Sequence, residues 1–432
     1  MIKRLIEQIE GEAILTFETK EERITDVTID FPHFRGIESI LQGRPARDAL
    51  VISPRVCGIC SHSHLMASVR ALEDLLHHHG VHIALSDKAK TIREITLYCE
   101  LIQNHLKWFY LTLAPKLAKL TQTEPPAYLA MHRAVTQITG VIATFAGQWP
   151  HTSYAIPGGI ASDPTPLEVM QADTLLCSVI DFFEERMIQE SLESILALTH
   201  DEKLFTLGGD LPDMLRLLER EGLDKLGQSY GRFIVLGSHS LFSPAKLSTE
   251  ISHSVDFNHV TEKTTPRYGQ ETFAKNVRFN GEFYETGPLA RALVRQEPLI
   301  HQMFQSNRDT ISTRITARVY EIALLLHACR QRIASLDLNE PSYIEPECSW
   351  QTLSGQGVGI VEAPRGSLIH TITLEHGTIQ ASQIITPTQW NLGNATPQEP
   401  GVAQKAMLGL SDTEVAEFVF RTFDICSICT TH

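Results

Sequence analysis

Two stretches of the chain carry residue types that bind metals, spaced as metal ligands are. One is Arg55-Val56-Cys57-Gly58-Ile59-Cys60-Ser61-His62-Ser63-His64, and the other is Asp424-Ile425-Cys426-Ser427-Ile428-Cys429-Thr430-Thr431-His432. Each is a Cys-x-x-Cys followed within about one turn by a histidine. Two cysteines three apart turn two thiolates toward one metal ion. Two such pairs form a four-sulfur site that ties the beginning of the chain to its end. One Cys-x-x-Cys is as readily a redox motif or chance; two pairs with matching histidines favour metal. Arg55, beside the first pair, would favour thiolate over thiol.

The elements that must position these pairs show in the hydrophobic pattern. Ala13, Leu15, Phe17 and then Val27, Ile29, Phe31 alternate on either side of Lys20-Glu21-Glu22-Arg23, which predicts an antiparallel hairpin with one buried face. Just before it, Ile9-Glu10-Gly11 sets an acid beside a residue that allows close backbone approach. From Leu65 the period is helical through Val69, Leu72, Leu75 and Leu76, ending at His77-His78-His79-Gly80. Further helices are expected over about 86–113, 126–145, 165–198, 210–221 and 286–336. The polar stretch 238–285 lacks either period and reads as a loop-rich excursion with short strands. Residues 355–385 return to strand, with a turn at Glu375-His376-Gly377-Thr378. Ser411-x-x-Glu414 reads as a capping box, with Ser411 at the N-cap, opening a helix that delivers Cys426 and Cys429.

Composition sets the bounds. The 432 residues are 43% hydrophobic and 20% charged, as in ordinary globular proteins. A formal net charge of −14 argues against nucleic acid as a partner. No signal-like start and no apolar run of ~18 residues is present, so a soluble chain with no membrane span is expected. Of the 8 cysteines, Cys99, Cys177, Cys329 and Cys348 stand singly in the sequence. That pattern suits metal chemistry better than a disulfide framework. A cytoplasmic location is favoured, and export or membrane association through a partner stays open.

Taken together, the motifs resemble the large subunit of nickel–iron hydrogenases. The pattern Arg-x-Cys-Gly-x-Cys-x-x-x-His is met by Arg55, Cys57, Gly58, Cys60 and His64. Asp-x-Cys-x-x-Cys-x-x-His is met by Asp424, Cys426, Cys429 and His432. Five more blocks follow the family's order: Gln8-Ile9-Glu10-Gly11, Arg35-Gly36-Ile37-Glu38, Gly287 to Arg291, Ala363-Pro364-Arg365-Gly366, and Pro387-Thr388-Gln389-Trp390-Asn391.

The resemblance implies roles. Cys57 and Cys426 would be terminal nickel ligands, and Cys60 and Cys429 would bridge nickel and iron, soft thiolates suiting both. The iron would also carry cyanide and carbon monoxide, faced by Ala363, Pro364, Pro387 and Thr388. Arg365 would stand over the open side of the metals. Cys426 would act as base when dihydrogen is split, and Glu10 would carry its proton away. Glu38, His432 and the carbonyl of Ile384 would hold magnesium or another divalent ion. His64, with Asp424 and Arg55, would orient ligands from behind. An iron–sulfur small subunit would take the electrons, since no further cysteine cluster for such a relay exists here. Maturation factors would insert the metals. A C-terminal endopeptidase would have removed any extension after His432.

The sequence departs from the family's pattern in four places. Ile425 stands where proline is usual, Gln8 replaces an arginine, and Glu12 replaces a histidine. Lys116 follows Leu113-Ala114-Pro115 where an acid near the active-site arginine is expected, which would leave Arg365 one charge partner short.

The expected fold is α+β and mainly α, a bundle of long helices with small β-structures at both ends. One unit over 1–432 is expected. It would comprise an N-terminal β segment 1–54, a helical core 55–237 and 286–340, the excursion 238–285, and a C-terminal β and metal-binding segment 345–432. The alternatives are a hydrogen-sensing subunit with the same site and slow turnover, a structural zinc protein, and the complex I relative that has lost the cysteines. All four cysteines are present here.

Overall fold

The computed structural model describes residues 1–9, 11–31, 33–238, 240–248, 251–252, 255–264, 273–392, 395 and 398–430, apart from the side chains of residues 8, 9, 251, 252, 264, 429 and 430. Glu10 and His432, both expected at the site, lie outside the described residues, as does the side chain of Cys429.

The N-terminal sheet has the order β1 (Ile2–Ile9), β2 (Gly11–Lys20), β3 (Arg23–Asp30), all antiparallel. The expected hairpin is β2–β3, turning at Glu21 and Glu22, both in the left-handed region. Strand β1 was not foreseen, because Lys3, Arg4, Glu7 and Gln8 break its alternation. Its edge is held by charge. Arg4 donates to Thr413 Oγ1 at 2.8 Å, and Arg421 donates to the Glu7 carbonyl at 2.8 Å.

The short α1 (Ile37–Leu41) leads to α2 (Ser61–His78), which starts directly after Cys60. Helix α3 (Asp87–Lys107) begins with Ser86 as N-cap and continues through a π turn, Trp108–Leu113, into a helix at Ala114–Thr121. Then come α4 (Leu129–Ala146) and α5 (Pro166–Phe182), the latter opened by a capping box on Thr165 and Glu168. The single helix expected over 165–198 is interrupted: a π turn ends at Ile188, and Gln189 at φ 47° starts a new direction. Helices α6 (Pro288–Val294) and α7 (Ile311–Ala334) complete the bundle. Leu, Ile and Val side chains from all these helices share one buried core with the inner face of the N-terminal sheet.

The C-terminal sheet is the meander β4 (Gly355–Ala363), β5 (Gly366–Glu375), β6 (Thr378–Ile385). Helix α2 lies directly on β4, and glycine makes this possible. A Cβ at Gly357 would come 2.0 Å from the Ala71 carbonyl, and one at Gly359 would come 1.9 Å from that of Ala67. The contact fixes α2, and with it the first cysteine pair, to the strand that ends at Ala363.

Helix α8 (Pro387–Leu392) follows the meander, then α9 (Thr413–Thr422) and the short α10 (Ser427–Thr430). The N-cap of α9 is Asp412 rather than Ser411: Asp412 Oδ1 accepts from the Glu414 amide at 2.7 Å. Glu414 is drawn instead into ion pairs with Arg4 and Lys116, so no reciprocal box forms. The chain therefore has the expected α+β, mainly helical architecture.

Candidate metal centre

Four segments converge on the sulfurs. The short helices over 46–56 deliver Cys57, α2 begins at Cys60, the 424–426 segment between α9 and α10 carries Cys426, and the β4–β5 turn carries Arg365. Cys57, Cys60 and Cys426 form a separate buried cluster, flanked by Ile59 and Ile428. The sulfurs of Cys57 and Cys426 stand 3.8 Å apart. A disulfide needs about 2.05 Å. Two thiolates on one tetrahedral metal with bonds of about 2.3 Å would be about 3.8 Å apart. The cysteines, from opposite ends of the chain, thus fit joint ligation of one ion. Among the described residues no group of three Cys, His, Asp or Glu side chains stands close enough to hold a metal by itself.

Next to the sulfurs is a small cavity lined by Cys60, His64, Ala363, Pro364, Arg365, Leu368, Pro387, Thr388 and Cys426. All four residues expected to face the iron's small ligands line it. The walls are apolar except for Arg365, Thr388 and His64, which suits diatomic ligands needing few hydrogen bonds. Thr388 Oγ1 also accepts from the Cys426 amide at 3.3 Å, tying α8 to the tail.

Arg365 occupies the two-residue turn between Ala363 and Gly366. Its Nη2 donates to Asp424 Oδ1 at 2.9 Å, its Nε to the Asp424 carbonyl at 3.0 Å, and its Nη1 to Asn104 Oδ1 at 3.3 Å. The other Asp424 oxygen accepts from Arg318 at 2.6 Å. Asp424, shared with Arg318, is thus the carboxylate that pairs with Arg365. Lys116 pairs with Glu414 and Glu417 on α9, and the second partner of Arg365 is a neutral amide.

Arg55 is exposed and donates to the Val51 carbonyl, so its guanidinium is turned along its own helical segment. The cation that grips this loop is Arg35, which donates to the carbonyls of Val56 at 2.6 Å and Arg55 at 3.0 Å. His64 lines the cavity together with Cys60, and its Nδ1 lies 2.9 Å from His370 Nε2. His370 in turn contacts Ser68 Oγ at 3.0 Å.

Glu38 and Ile384 are brought together by α1 packing on β6, the Ile384 amide donating to Glu38 Oε1 at 2.7 Å. Gly11, at φ 91°, approaches the tail so closely that a Cβ would lie 2.2 Å from Ser427 Oγ. The start of β2 is thereby laid against Ser427 and Ile428.

A buried polar layer behind the sulfurs was not anticipated. Glu100 receives the first amides of α2. His105 Nε2 lies 2.8 Å from Glu321, which pairs through both oxygens with Arg291. Arg291 also reaches Glu362 at 3.0 Å. Burial lowers the His105 pKa to about 4, the Glu321 bond opposing and Arg318 assisting. Burial acts to raise the Glu321 carboxyl, but Arg291 and His105 outweigh it and hold the group well below its usual range. Cys99 and Cys329, single in sequence, meet between α3 and α7, where burial and the partner thiol raise the Cys99 thiol.

The family model for nickel-dependent hydrogenase matches residues 35–122 and 237–432, and the chain belongs to that family. Over its whole length the chain is 25% identical to a chain of the F420-non-reducing hydrogenase of Methanothermobacter marburgensis, covering 95% of it. It is 27% identical to a chain of an F420-non-reducing hydrogenase of Methanocaldococcus jannaschii, over 90% of this chain and 94% of that one. Identity to the periplasmic [NiFeSe] hydrogenase large subunit of Desulfomicrobium baculatum is 23%, over 98% and 93%. The fold superposes on the Ni-Fe-Se hydrogenase of D. vulgaris Hildenborough with a TM-score of 0.81 at 21% identity, covering both chains fully. Among the described residues no helix is long and apolar enough to cross a membrane.

Proposed function

We propose that this chain is the catalytic large subunit of a nickel–iron hydrogenase that splits dihydrogen heterolytically and reversibly. The observation that carries this reading is the pair Cys57–Cys426 at 3.8 Å, beside an apolar cavity overhung by Arg365. Cys57 and Cys426 would hold nickel, Cys60 and Cys429 would bridge to iron, and Ala363, Pro364, Pro387 and Thr388 would enclose cyanide and carbon monoxide on the iron. The bimetallic centre, when bound, supplies the polarisation of dihydrogen that no side chain here can provide. The Cys426 thiolate accepts the proton, and Glu10 receives it from Cys426, supported by the placement of Gly11 against Ser427. Arg365, braced by Asp424, keeps a fixed positive charge over the cavity. Glu38 and the Ile384 carbonyl, with His432, would hold magnesium and join the tail to α1 and β6.

Electrons would leave to an iron–sulfur small subunit. A fitting face lies beside the first cysteine pair, where Phe34 and Val51 are about half exposed around the Arg35 clamp. An obligate interface would bury ~2,000 Å² or more there. Metal analysis with infrared spectroscopy tests the whole reading: nickel and iron with bands from metal-bound cyanide and carbon monoxide are expected. Zinc without such bands would end it.

A further inference from the structure

Cys60 is the N-cap of α2, at φ −128° and ψ 36°, and its side chain makes no cap bond. A residue in this place normally offers a side-chain oxygen to the free amides of the first turn. A sulfur held by metal cannot do so, and the first turn of a buried helix still needs an acceptor. That acceptor comes from α3. Glu100 Oε2 accepts from the His62 amide at 2.8 Å, while Oε1 accepts from the Ser63 amide at 2.9 Å and the Ser63 hydroxyl at 2.7 Å. The Trp149 indole N–H donates to Oε2 at 3.4 Å.

The carboxyl is wholly buried. Burial pushes its pKa up to about 7 even though Ser63 and the two amides pull it down. A buried acid in this position is costly, so a fold with no use for it would be expected to carry a neutral group there. What the acid adds is three bonds to a single turn, two acceptor oxygens facing the positive end of the helix.

We infer that Glu100 is a positioning residue for the metal centre, capping in trans the helix whose own N-cap side chain is given over to the metals. The inference rests on the reading of Cys60 as a bridging ligand. With the Ser61–Ser63 turn held from α3, the Cys60 Cα has no freedom to swing its sulfur. The neighbouring loop is held from the same helix, one turn on: Asn104 Nδ2 donates to the Ile59 carbonyl at 2.6 Å. One rigid helix thus sets the backbone on either side of Cys60.

The test uses the full chain matured with its partners, as wild type, Glu100→Gln, Glu100→Asp and Ser63→Ala. Amide hydrogen exchange over 61–66, the thermal midpoint, bound nickel and iron, and the infrared bands of the metal-bound diatomics are measured. Glu100→Gln turns an N–H₂ toward N–H donors, so exchange of the first-turn amides should rise about tenfold or more. Its infrared bands should shift while the variant stays folded. Ser63→Ala removes one donor and should shift the same bands less, in the same direction. Glu100→Asp, too short to reach both amides, should fall between. Bands and exchange identical to wild type in Ser63→Ala and Glu100→Asp would overturn the inference, whether or not Glu100→Gln folds. A wild-type chain with no nickel, iron or infrared bands would instead sink the hydrogenase reading, and the exchange data would still report on the cap.

Discussion

Replacing Asp424 by Asn isolates one charge. Asp424 has φ 55°, a left-handed conformation that Asn adopts as readily as Asp, so the backbone gains no strain. The side chain keeps its size. What disappears is the negative charge between two buried guanidinium groups, Arg318 at 2.6 Å and Arg365 at 2.9 Å. Breaking a buried ion pair from one side costs about 3–5 kcal/mol, because the other charge is left uncompensated. The retained amide oxygen still accepts one bond, which places the expected loss near the lower figure. An unfolding entropy of about 2.1 cal/mol/K per residue over 432 residues amounts to about 0.9 kcal/mol/K. The midpoint should therefore fall by about 3–5 °C. Calorimetry on the nickel-free chain measures this without a contribution from metal loss. Arg318→Met combined with Asp424→Asn removes one of the stranded cations, so the double variant should lose less than the two single losses combined. A midpoint within 1 °C of wild type for Asp424→Asn, or strictly additive losses, would refute the bracket.

The other predictions follow from the same geometry. Cys426→Ser substitutes a hydroxyl, a poor nickel ligand and the wrong base, and should abolish hydrogen uptake; near wild-type uptake would refute the assignment. Glu10→Gln should bind both metals normally and lose most turnover and most hydrogen–deuterium exchange with solvent. Exchange within a few-fold of wild type would mean that the proton leaves by another route. His105 is neutral in the fold with a pKa of about 4 and would protonate near 6.5 when unfolded. The unfolded chain therefore binds the extra proton first, and stability drains away as pH falls from 6.5 to 4, by at most about 3 kcal/mol. His105→Gln should flatten that acid limb in a series of melting curves, and an unchanged limb would assign it to other groups.

How far the sequence reveals this structure depends on range. The β2–β3 hairpin and the β4–β6 meander are legible because alternation and turn residues are local signals. Ser411 and Asp412 can both cap a helix, and the choice fell to Asp412 because Glu414 has better partners in Arg4 and Lys116. The same helix occupies Lys116, which pairs with Glu414 and Glu417. That Cys57, Cys60 and Cys426 matter together was readable because their spacing is a local constraint, and Arg365, Pro387 and Thr388 beside them through short motifs. Glu100, His105, Arg291, Arg318 and Glu321 were not readable. Each sits on a helix as an ordinary polar residue, and the partner that explains its burial lies about 30 to 200 positions away. No periodicity encodes such pairings, since they exist only once α3 and α7 are packed.

Those unread residues explain how irregular segments can build a rigid site. The first cysteine pair lies on a loop, the second near the end of the chain, and Arg365 on a two-residue turn. None has regular structure long enough to fix a side chain. Each is gripped by a helix instead: α3 takes the α2 N-terminus through Glu100 and the Ile59 carbonyl through Asn104, and α7 takes Asp424 through Arg318. Asn104 and Asp424 then both bind Arg365, so the helices are linked across the cavity by the side chain that overhangs it. Such buried polar contacts contribute little to stability once desolvation is counted. Their value lies in position, since a catalytic constellation needs tolerances of about half an ångström. The large apolar core shared by the helices and the N-terminal sheet supplies the stability that lets this layer be polar.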